Sequence, residues 1–308
     1  MYSLCYCLLP VSVWFLAAKL AGFLRFSFSN QRRLVLQNLA STLQDPKSNE
    51  QLQSLARQHF AYLFQYELSR LLPMSGTFSK ALQIPVEGLH RLDSALAIGK
   101  GAILVSAHFG FYRLIKDILR SKGYDVWLVR ARKSKNIKEE EKRMRNFSRF
   151  KQMMFERLHM RKVVHDEYDL FADFNIRPIV EVFKKNGIIV IMGDAQHAAT
   201  FVDLDFLGHL YPFPCGYMSM AMNTGAPIFP AFAVDTSNGF RPKLVIEKPL
   251  ILEKNGTPDD NLRINVEGFV SILESYVECH PYLFKIWTKE NWFQKRLVRS
   301  RRELAKRY

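Results

Sequence analysis

Cysteine, glycine and proline are scarce in this chain. Its 308 residues include four cysteines, 15 glycines and 13 prolines, and no Cys-x-x-Cys pair occurs. With 48% hydrophobic and 24% charged residues, the chain is not collagen-like, low in complexity or wholly disordered. The cysteines support neither a disulfide scaffold nor a zinc site. We therefore expect a globular protein with a substantial core in a reducing compartment.

Long apolar runs are also almost absent. Only Leu4–Leu24 approaches the ~20 residues that cross a hydrocarbon layer. Its one charge is Lys19, and the lack of a basic start argues against a cleaved signal peptide. Because Arg25, Arg32 and Arg33 follow it, a spanning segment would leave the body of the protein in the cytoplasm. We expect a membrane anchor over residues 1–25, with an interfacial helix and a buried core helix as the alternatives.

The net charge of +15 is confined to two basic blocks. Residues 130–162 carry +9 and residues 289–308 carry +6, so the rest of the chain is neutral. Glu139–Leu158 has the pattern of a basic amphipathic helix. The blocks suit an anionic surface or substrate, with solvated basic faces as the plain alternative. No nucleic-acid module is recognisable, so we expect no nucleic-acid partner.

The rest of the chain changes from helical to mixed patterning. Apolar residues recur at three- and four-residue steps from about 31 to 72, which predicts two helices broken near Pro46. Later, short apolar runs alternate with helical stretches, which predicts an α/β fold: a mixed, largely parallel sheet flanked by helices. The predicted strands are Ala102–Ser106, Asp125–Val129, Ile188–Met192, Ile228–Val234 and Lys243–Glu247.

Ligands of such sheets bind beyond the carboxyl ends of the strands. His108 and Gly110 follow the first predicted strand and precede a helical pattern, where an imidazole and a close backbone approach suit a catalytic or anion-binding site. A packed histidine is the alternative. Arg130 and Arg132 follow the second strand as a candidate anion-binding cluster or a solvated loop.

Asp194 and Gln196 follow the third predicted strand. A carboxylate and an amide at this position can orient His108 or bind a polar headgroup, and an aspartate that caps a turn is the alternative. Further on, the segments around Phe206–Gly208, Pro212–Pro214 and Asn223–Pro227 are typical of turns.

In this order, these segments resemble a family of bacterial enzymes, the lipid A biosynthesis lauroyl/myristoyl acyltransferases. The resemblance extends over most of the chain. The segments that carry it include the N-terminal apolar stretch, Arg32-Arg33-Leu-Val-Leu-Gln-Asn38, Val86-Glu-Gly88, Gly101–Gly110, Asp194-Ala-Gln196, Phe206-Leu-Gly208, Thr224–Ile228 and His280–Trp287.

The resemblance implies direct acyl transfer from an acyl thioester, on acyl carrier protein or coenzyme A, to a hydroxyl or amine of a lipid or glycolipid. His108 would be the base, and backbone N–H groups near Phe109–Tyr112 or the Arg113 side chain would stabilise the oxyanion. Phe206 and Gly208 join Gly110, Arg113, Arg130, Arg132 and Gln196 as candidate substrate-binding residues. No metal or cofactor is implied beyond the thioester co-substrate.

The resemblance also implies an organisation and a location. It divides the chain into an anchor (1–25), a helical segment (26–84), an acyltransferase-like α/β domain (85–295) and a basic tail (296–308). The expected location is the cytoplasmic face of the bacterial inner membrane, against an anionic lipid surface.

One position departs from the family pattern. The family places Glu or Asp five residues after the histidine, whereas this chain has Arg113 there. Since Arg cannot accept a hydrogen bond from the imidazole, the usual dyad is broken. Either Asp117 or Asp194 orients His108, or His108 acts unassisted while Arg113 binds an anion. The third possibility is a catalytically inactive relative that binds lipid or acyl carrier protein.

Overall fold

An all-helical start precedes alternating strands and helices. The computed structural model describes residues 11–43, 47–69, 84–130, 169–171, 176–196, 198–235 and 242–305. The helices are α1 (Val11–Phe28), α2 (Gln31–Thr42), α3 (Asn49–Ser69), α4 (Leu89–Leu96), α5 (Leu114–Ser121), α6 (Arg177–Lys184), α7 (Gly216–Thr224), α8 (Pro258–Cys279) and α9 (Trp292–Ala305). The strands are β1 (Val86–Glu87), β2 (Ala102–Ser106), β3 (Val126–Arg130), β4 (Asp169–Phe171), β5 (Ile188–Met192), β6 (Phe201–Phe206), β7 (His209–Pro214), β8 (Ile228–Val234) and β9 (Lys243–Ile246).

Seven strands form one mixed sheet in the order β1-β9-β8-β2-β5-β3-β4. Only the β8–β9 pairing of this sheet is antiparallel. The central strands β2 and β8 are fully buried, as their continuous apolar sequences predict. The predicted α/β fold with a largely parallel sheet is therefore confirmed.

The strand bounds agree closely with the sequence predictions, with one omission. β2, β5 and β8 have the predicted bounds, β3 is shifted by one residue at both ends, and β9 ends one residue earlier than predicted. The segments around Phe206 and Pro212, predicted as turns, instead form the antiparallel hairpin β6–β7. Only Leu207 and Gly208, both with positive φ, form its turn.

The predicted membrane-spanning anchor is not supported. In the part of the chain that the structure describes, no helix is both long and apolar enough to cross a membrane. Residues 4–10 of the apolar stretch lie outside that part. The remainder forms α1, which buries Ala18, Gly22 and Phe26, and its Phe26 ring meets Phe60 of α3 at 6.1 Å. α1 is thus one layer of a helical packing.

Several predictions fall on residues outside the described ranges. They are the amphipathic helix Glu139–Leu158, most of the basic block 130–162, Arg132 and the break at Pro46.

Candidate active site

The register of two neighbouring strands brings His108 and Asp194 together. β2 and β5 are parallel, and Ser106 is paired with Met192 at their carboxyl ends. His108 and Asp194 each lie two residues beyond this pair. The backbone N–H of Gly193 also donates to the carbonyl of Ser106 at 2.7 Å, which continues the pairing past the strands. A candidate base and a carboxylate therefore meet at the carboxyl edge of the sheet.

Both oxygens of Asp194 bind His108. Oδ1 lies 2.9 Å from the imidazole Nδ1, and Oδ2 accepts the backbone N–H of His108 at 3.0 Å. A carboxylate only accepts hydrogen bonds, so Nδ1 carries the proton and Nε2 is left with a free lone pair. The Asp194 side chain is 4% exposed, and that of His108 is 40% exposed. In the neutral imidazole, this arrangement leaves Nε2 as the nitrogen that can accept a proton.

Asp194 is held in its ionised form. Burial by itself would raise the pKa of its carboxyl group. His108, which also supplies two hydrogen bonds, and the nearby charge of Arg296 outweigh that effect, so the pKa lies below its ordinary value. The carboxylate therefore remains available to stabilise an imidazolium during proton transfer.

Arg296 fixes the loop that carries Asp194. This arginine lies on α9 and is 2% exposed. Its guanidinium donates to the carbonyls of Asp194, Ala195 and Pro212. Since the three carbonyls belong to the β5–β6 loop and to β7, one buried cation ties both to the C-terminal helix.

The backbone after His108 is also fixed. Gly110 has φ +56°, and a Cβ there would lie 2.2 Å from the carbonyl oxygen of Ala233. Its N–H donates to Leu283, and the N–H of Phe111 donates to Ala233 at 2.7 Å. These two amide groups therefore already donate to protein carbonyls. Which N–H group or side chain near His108 binds the oxyanion stays a prediction, and the side chain of Arg113 is one candidate.

Aromatic rings and cations surround the exposed side of the histidine. The ring of Tyr112 meets the imidazole edge to face at 5.1 Å and stacks on Tyr66 of α3 at 5.5 Å. The guanidinium of Arg113 lies 6.0 Å from the Tyr112 ring, and Nζ of Lys285 lies 3.4 Å from the Tyr66 ring. These groups offer apolar surface together with positive charge, which suits an acyl chain linked to an anionic group.

The other candidate carboxylate and two candidate binding residues are also among the described residues. Asp117 lies in the first turn of α5 and is half-buried. Gln196, also half-buried, follows Asp194 in the same loop. Arg130 ends β3, where Nη1 lies 2.5 Å from Oδ2 of the buried Asp169. A substrate role for Arg130 or Gln196 stays a prediction.

Phe206 and Gly208 have structural positions in the hairpin. Phe206 is buried, and its ring meets Phe213 at 5.4 Å and Phe284 at 5.8 Å. Gly208 has φ +72° in the turn, and its N–H donates to Asp205. Any contact of these residues with substrate stays a prediction.

Three residues of the site were not predicted from the sequence. They come from distant parts of the chain: Tyr66 belongs to α3, Lys285 to the segment between α8 and α9, and Arg296 to α9. Only the basic C-terminal block signalled Arg296, and nothing in the sequence signalled its burial.

An α/β fold with an imidazole–carboxylate pair at the carboxyl edge of its sheet is the arrangement of a candidate acid–base site. The family model described as bacterial lipid A biosynthesis acyltransferase matches residues 3–299. The chain therefore belongs to that family, and the resemblance drawn from its motifs is confirmed.

Two curated relatives are similar to part of the chain. Both are phosphatidylinositol mannoside acyltransferases, from two strains of Mycobacterium tuberculosis, and are 24% identical over 157 residues. The match covers 49% of this chain and 44% of each relative. The chain thus spans less than half the length of the curated relatives that it matches.

Proposed function

We propose that this protein transfers a fatty acyl chain from an acyl thioester to a hydroxyl or amine of a lipid or glycolipid. The observation that carries the proposal is the contact between His108 Nδ1 and Asp194 at 2.9 Å. It leaves Nε2 as the proton acceptor that such a transfer needs. Membership of the lipid A acyltransferase family supports the same chemistry.

In the reaction, Nε2 of His108 takes the proton of the acceptor hydroxyl as its oxygen attacks the thioester carbonyl. The carbonyl carbon becomes tetrahedral and its oxygen becomes negatively charged. When the C–S bond breaks, the ester is formed and the thiolate leaves. The imidazolium returns its proton to that thiolate, so the histidine is regenerated. Asp194 stabilises the imidazolium throughout.

Positive charge beside the histidine serves the anionic groups of this reaction. Arg113 is the candidate partner of the oxyanion or of a donor phosphate, and Lys285 lies on the same aromatic wall. A cation that is already in position when the oxyanion forms lowers the barrier, because no group has to reorganise during the step. On this proposal, the arginine that replaces the family carboxylate binds substrate, and Asp194 supplies the missing acid.

The donor is acyl carrier protein or coenzyme A, both of which present an anionic phosphopantetheine arm. The acceptor is a membrane lipid, and we place the enzyme on the cytoplasmic face of the bacterial inner membrane. The family description and the name of the matched relatives, which concerns a mannosylated phosphoinositide, support a glycolipid acceptor.

Lipid mass spectrometry of three strains tests the proposal: one lacking the chain, one expressing it, and one expressing His108→Ala. We expect a lipid species, heavier by one acyl chain, only in the strain with the unchanged protein. A thiol-release assay with an acyl thioester should follow the same order. Identical lipids in all three strains, with no thiol release, would instead indicate the catalytically inactive, lipid-binding alternative.

A further inference from the structure

The helix α1 has two sharply different long sides. Ala18, Gly22 and Phe26 face α3 and are buried. The fit is close, since a Cβ at Gly22 would lie 2.4 Å from Cα of Ala61. This packing fixes the rotation of α1 about its own axis, so its opposite side is held outward.

That opposite side is apolar and exposed. We call it the apolar stripe, and it consists of Val13, Leu16, Leu20, Phe23, Leu24 and Phe28, which are 42–83% exposed. Isolated exposed apolar residues are ordinary, but six large ones along a single helix side are not. The stripe needs a partner that covers it.

The charges beside the stripe identify the partner. The first 44 residues of the chain contain no Asp or Glu, and their four charges are Lys19, Arg25, Arg32 and Arg33. At about 100° per residue, Lys19 and Arg25 lie on the two borders of the stripe. A membrane with anionic headgroups matches this arrangement. Its acyl chains would cover the apolar stripe, and its negatively charged headgroups would lie against the basic borders.

A basic cleft lies where α1 ends and α2 begins. It has a volume of about 520 Å³ and opens to solvent. Its lining residues are Ser29, Asn30, Arg32, Arg33, Leu36 and Gln37. Guanidinium groups bind phosphate oxygens in pairs, and hydroxyl and amide groups add further hydrogen bonds. The cleft is therefore suited to the phosphate of a phospholipid whose acyl chains lie along the stripe.

We propose that α1 lies in the plane of an anionic membrane, with the apolar stripe among the acyl chains and a phospholipid phosphate in the cleft beside Arg32 and Arg33. A helix that is packed on α3 along one side meets lipid only on the other. In this orientation, the apolar stripe meets the membrane along the length of α1.

The same packing relates the membrane surface to the site. On α3, Phe60 and Ala61 face α1, whereas the Tyr62 hydroxyl donates to the carbonyl of Gly110 at 2.8 Å. The helix α3 therefore lies between α1 and the loop that follows His108, and the axes of packed helices are about 8–10 Å apart. This step alone rests on the proposed function, because it gives a lipid acceptor a short path to the base. Membrane binding stands without it.

The test is co-sedimentation of the full chain with vesicles of phosphatidylcholine, alone or mixed with phosphatidylglycerol. Leu20→Ser combined with Phe23→Ser should weaken binding to the mixed vesicles at least tenfold, since each side chain leaves an apolar layer. Ile251→Ser is the matched control, because Ile251 is 98% exposed and lies far along the chain. It should bind as the unchanged protein does.

Arg32→Gln combined with Arg33→Gln should remove most of the preference for phosphatidylglycerol. Lys248→Gln combined with Lys254→Gln, two exposed residues, removes the same charge and should leave the preference intact. Equal losses in the two pairs would show that only net charge matters and would overturn the cleft. Circular dichroism and thermal melting of every variant separate loss of binding from loss of folding.

If the folded Leu20→Ser, Phe23→Ser protein binds the mixed vesicles as tightly as the unchanged protein does, the proposal is overturned. Thiol release by the unchanged protein is measured separately in detergent. Vesicle binding as expected, without thiol release, would leave the membrane surface standing and remove the proposed acyl transfer. Thiol release together with vesicle binding that does not depend on the apolar stripe would support the proposed acyl transfer and overturn the proposed membrane surface.

Discussion

Nδ1 of His108 lies 2.9 Å from Oδ1 of Asp194, while the backbone N–H of His108 donates to Oδ2 of the same carboxylate. The two contacts fix the position of the residue and the tautomer of its ring. This carboxylate lies in the loop after the neighbouring strand β5. The family resemblance implies an acid at the position of Arg113 instead, so on the proposed function Asp194 takes the place of that acid.

This relationship predicts the effect of restoring the family's acid. Arg113→Glu should lower the rate of thiol release, since it replaces the cation that lies over the Tyr112 ring with a negative charge. Steady-state kinetics with an acyl thioester measures it, with Arg113→Gln separating loss of the cation from gain of the anion. A faster Arg113→Glu enzyme would mean that the original site had only decayed.

Arg296 is predicted to act as a positioning residue. Arg296→Met leaves three carbonyls without their donor and releases the Asp194 loop, so we expect unfolding to require about 3 kcal/mol less free energy. We also expect kcat to fall while KM for the thioester is retained. Arg296→Lys, which keeps the charge, should recover part of kcat. The exposed Arg263→Met is the control, with stability unchanged within about 0.5 kcal/mol.

A purely structural role for Arg296 would give a different result. In that case, the folded fraction of Arg296→Met would have an unaltered kcat. Active-site titration, which counts folded enzyme, distinguishes the two outcomes.

His59 should make the protein less stable in mild acid. It is fully buried in α3, its Nδ1–H donates to the carbonyl of Tyr282, and among the described residues Nε2 has no hydrogen-bond partner. Burial is the main reason that its pKa falls from 6.5 to about 4. Between these pH values the unfolded chain binds a proton that the folded chain refuses. Stability is therefore lost as the pH falls from 6.5 to 4, by up to about 3 kcal/mol.

Urea unfolding across this pH range checks the prediction. His59→Asn retains a donor for Tyr282 but does not titrate, so its free energy of unfolding should depend less on pH, although it is lower overall. His90→Asn, at an exposed site, should keep the pH dependence of the unchanged protein. Parallel curves for His59→Asn and the unchanged protein would contradict the account.

The strands were predictable because burial on both faces leaves a clear trace. β2, β5 and β8 are continuous apolar runs, and no helix pattern competes with them. The hairpin β6–β7 was missed because Pro212, Pro214 and Gly208 are typical of turns. A two-stranded ribbon tolerates these prolines, since each strand has a free edge where no N–H is required.

The site was predictable in its residues but not in its pairing. His108 and Asp194 were both recognisable at strand ends, yet Asp117 was an equal candidate because strand order is not written in the sequence. The adjacency of β2 and β5 brings Asp194 into contact with His108, and its catalytic role stays a prediction. Likewise, apolar residues occur on both the buried and the exposed side of α1, so its sequence could not show which side packs on α3 and which remains exposed.

The most direct test of the central claim is kcat/KM for thiol release in Asp194→Asn compared with Asp117→Asn. A general base and its orientation typically contribute roughly 10²–10⁴-fold, so Asp194→Asn should fall by that order, as His108→Ala does. Asp117→Asn should keep the rate of the unchanged enzyme within about threefold, a difference below 1 kcal/mol. Full activity in Asp194→Asn, or its loss in Asp117→Asn alone, would contradict the assignment of Asp194 as the carboxylate that serves His108.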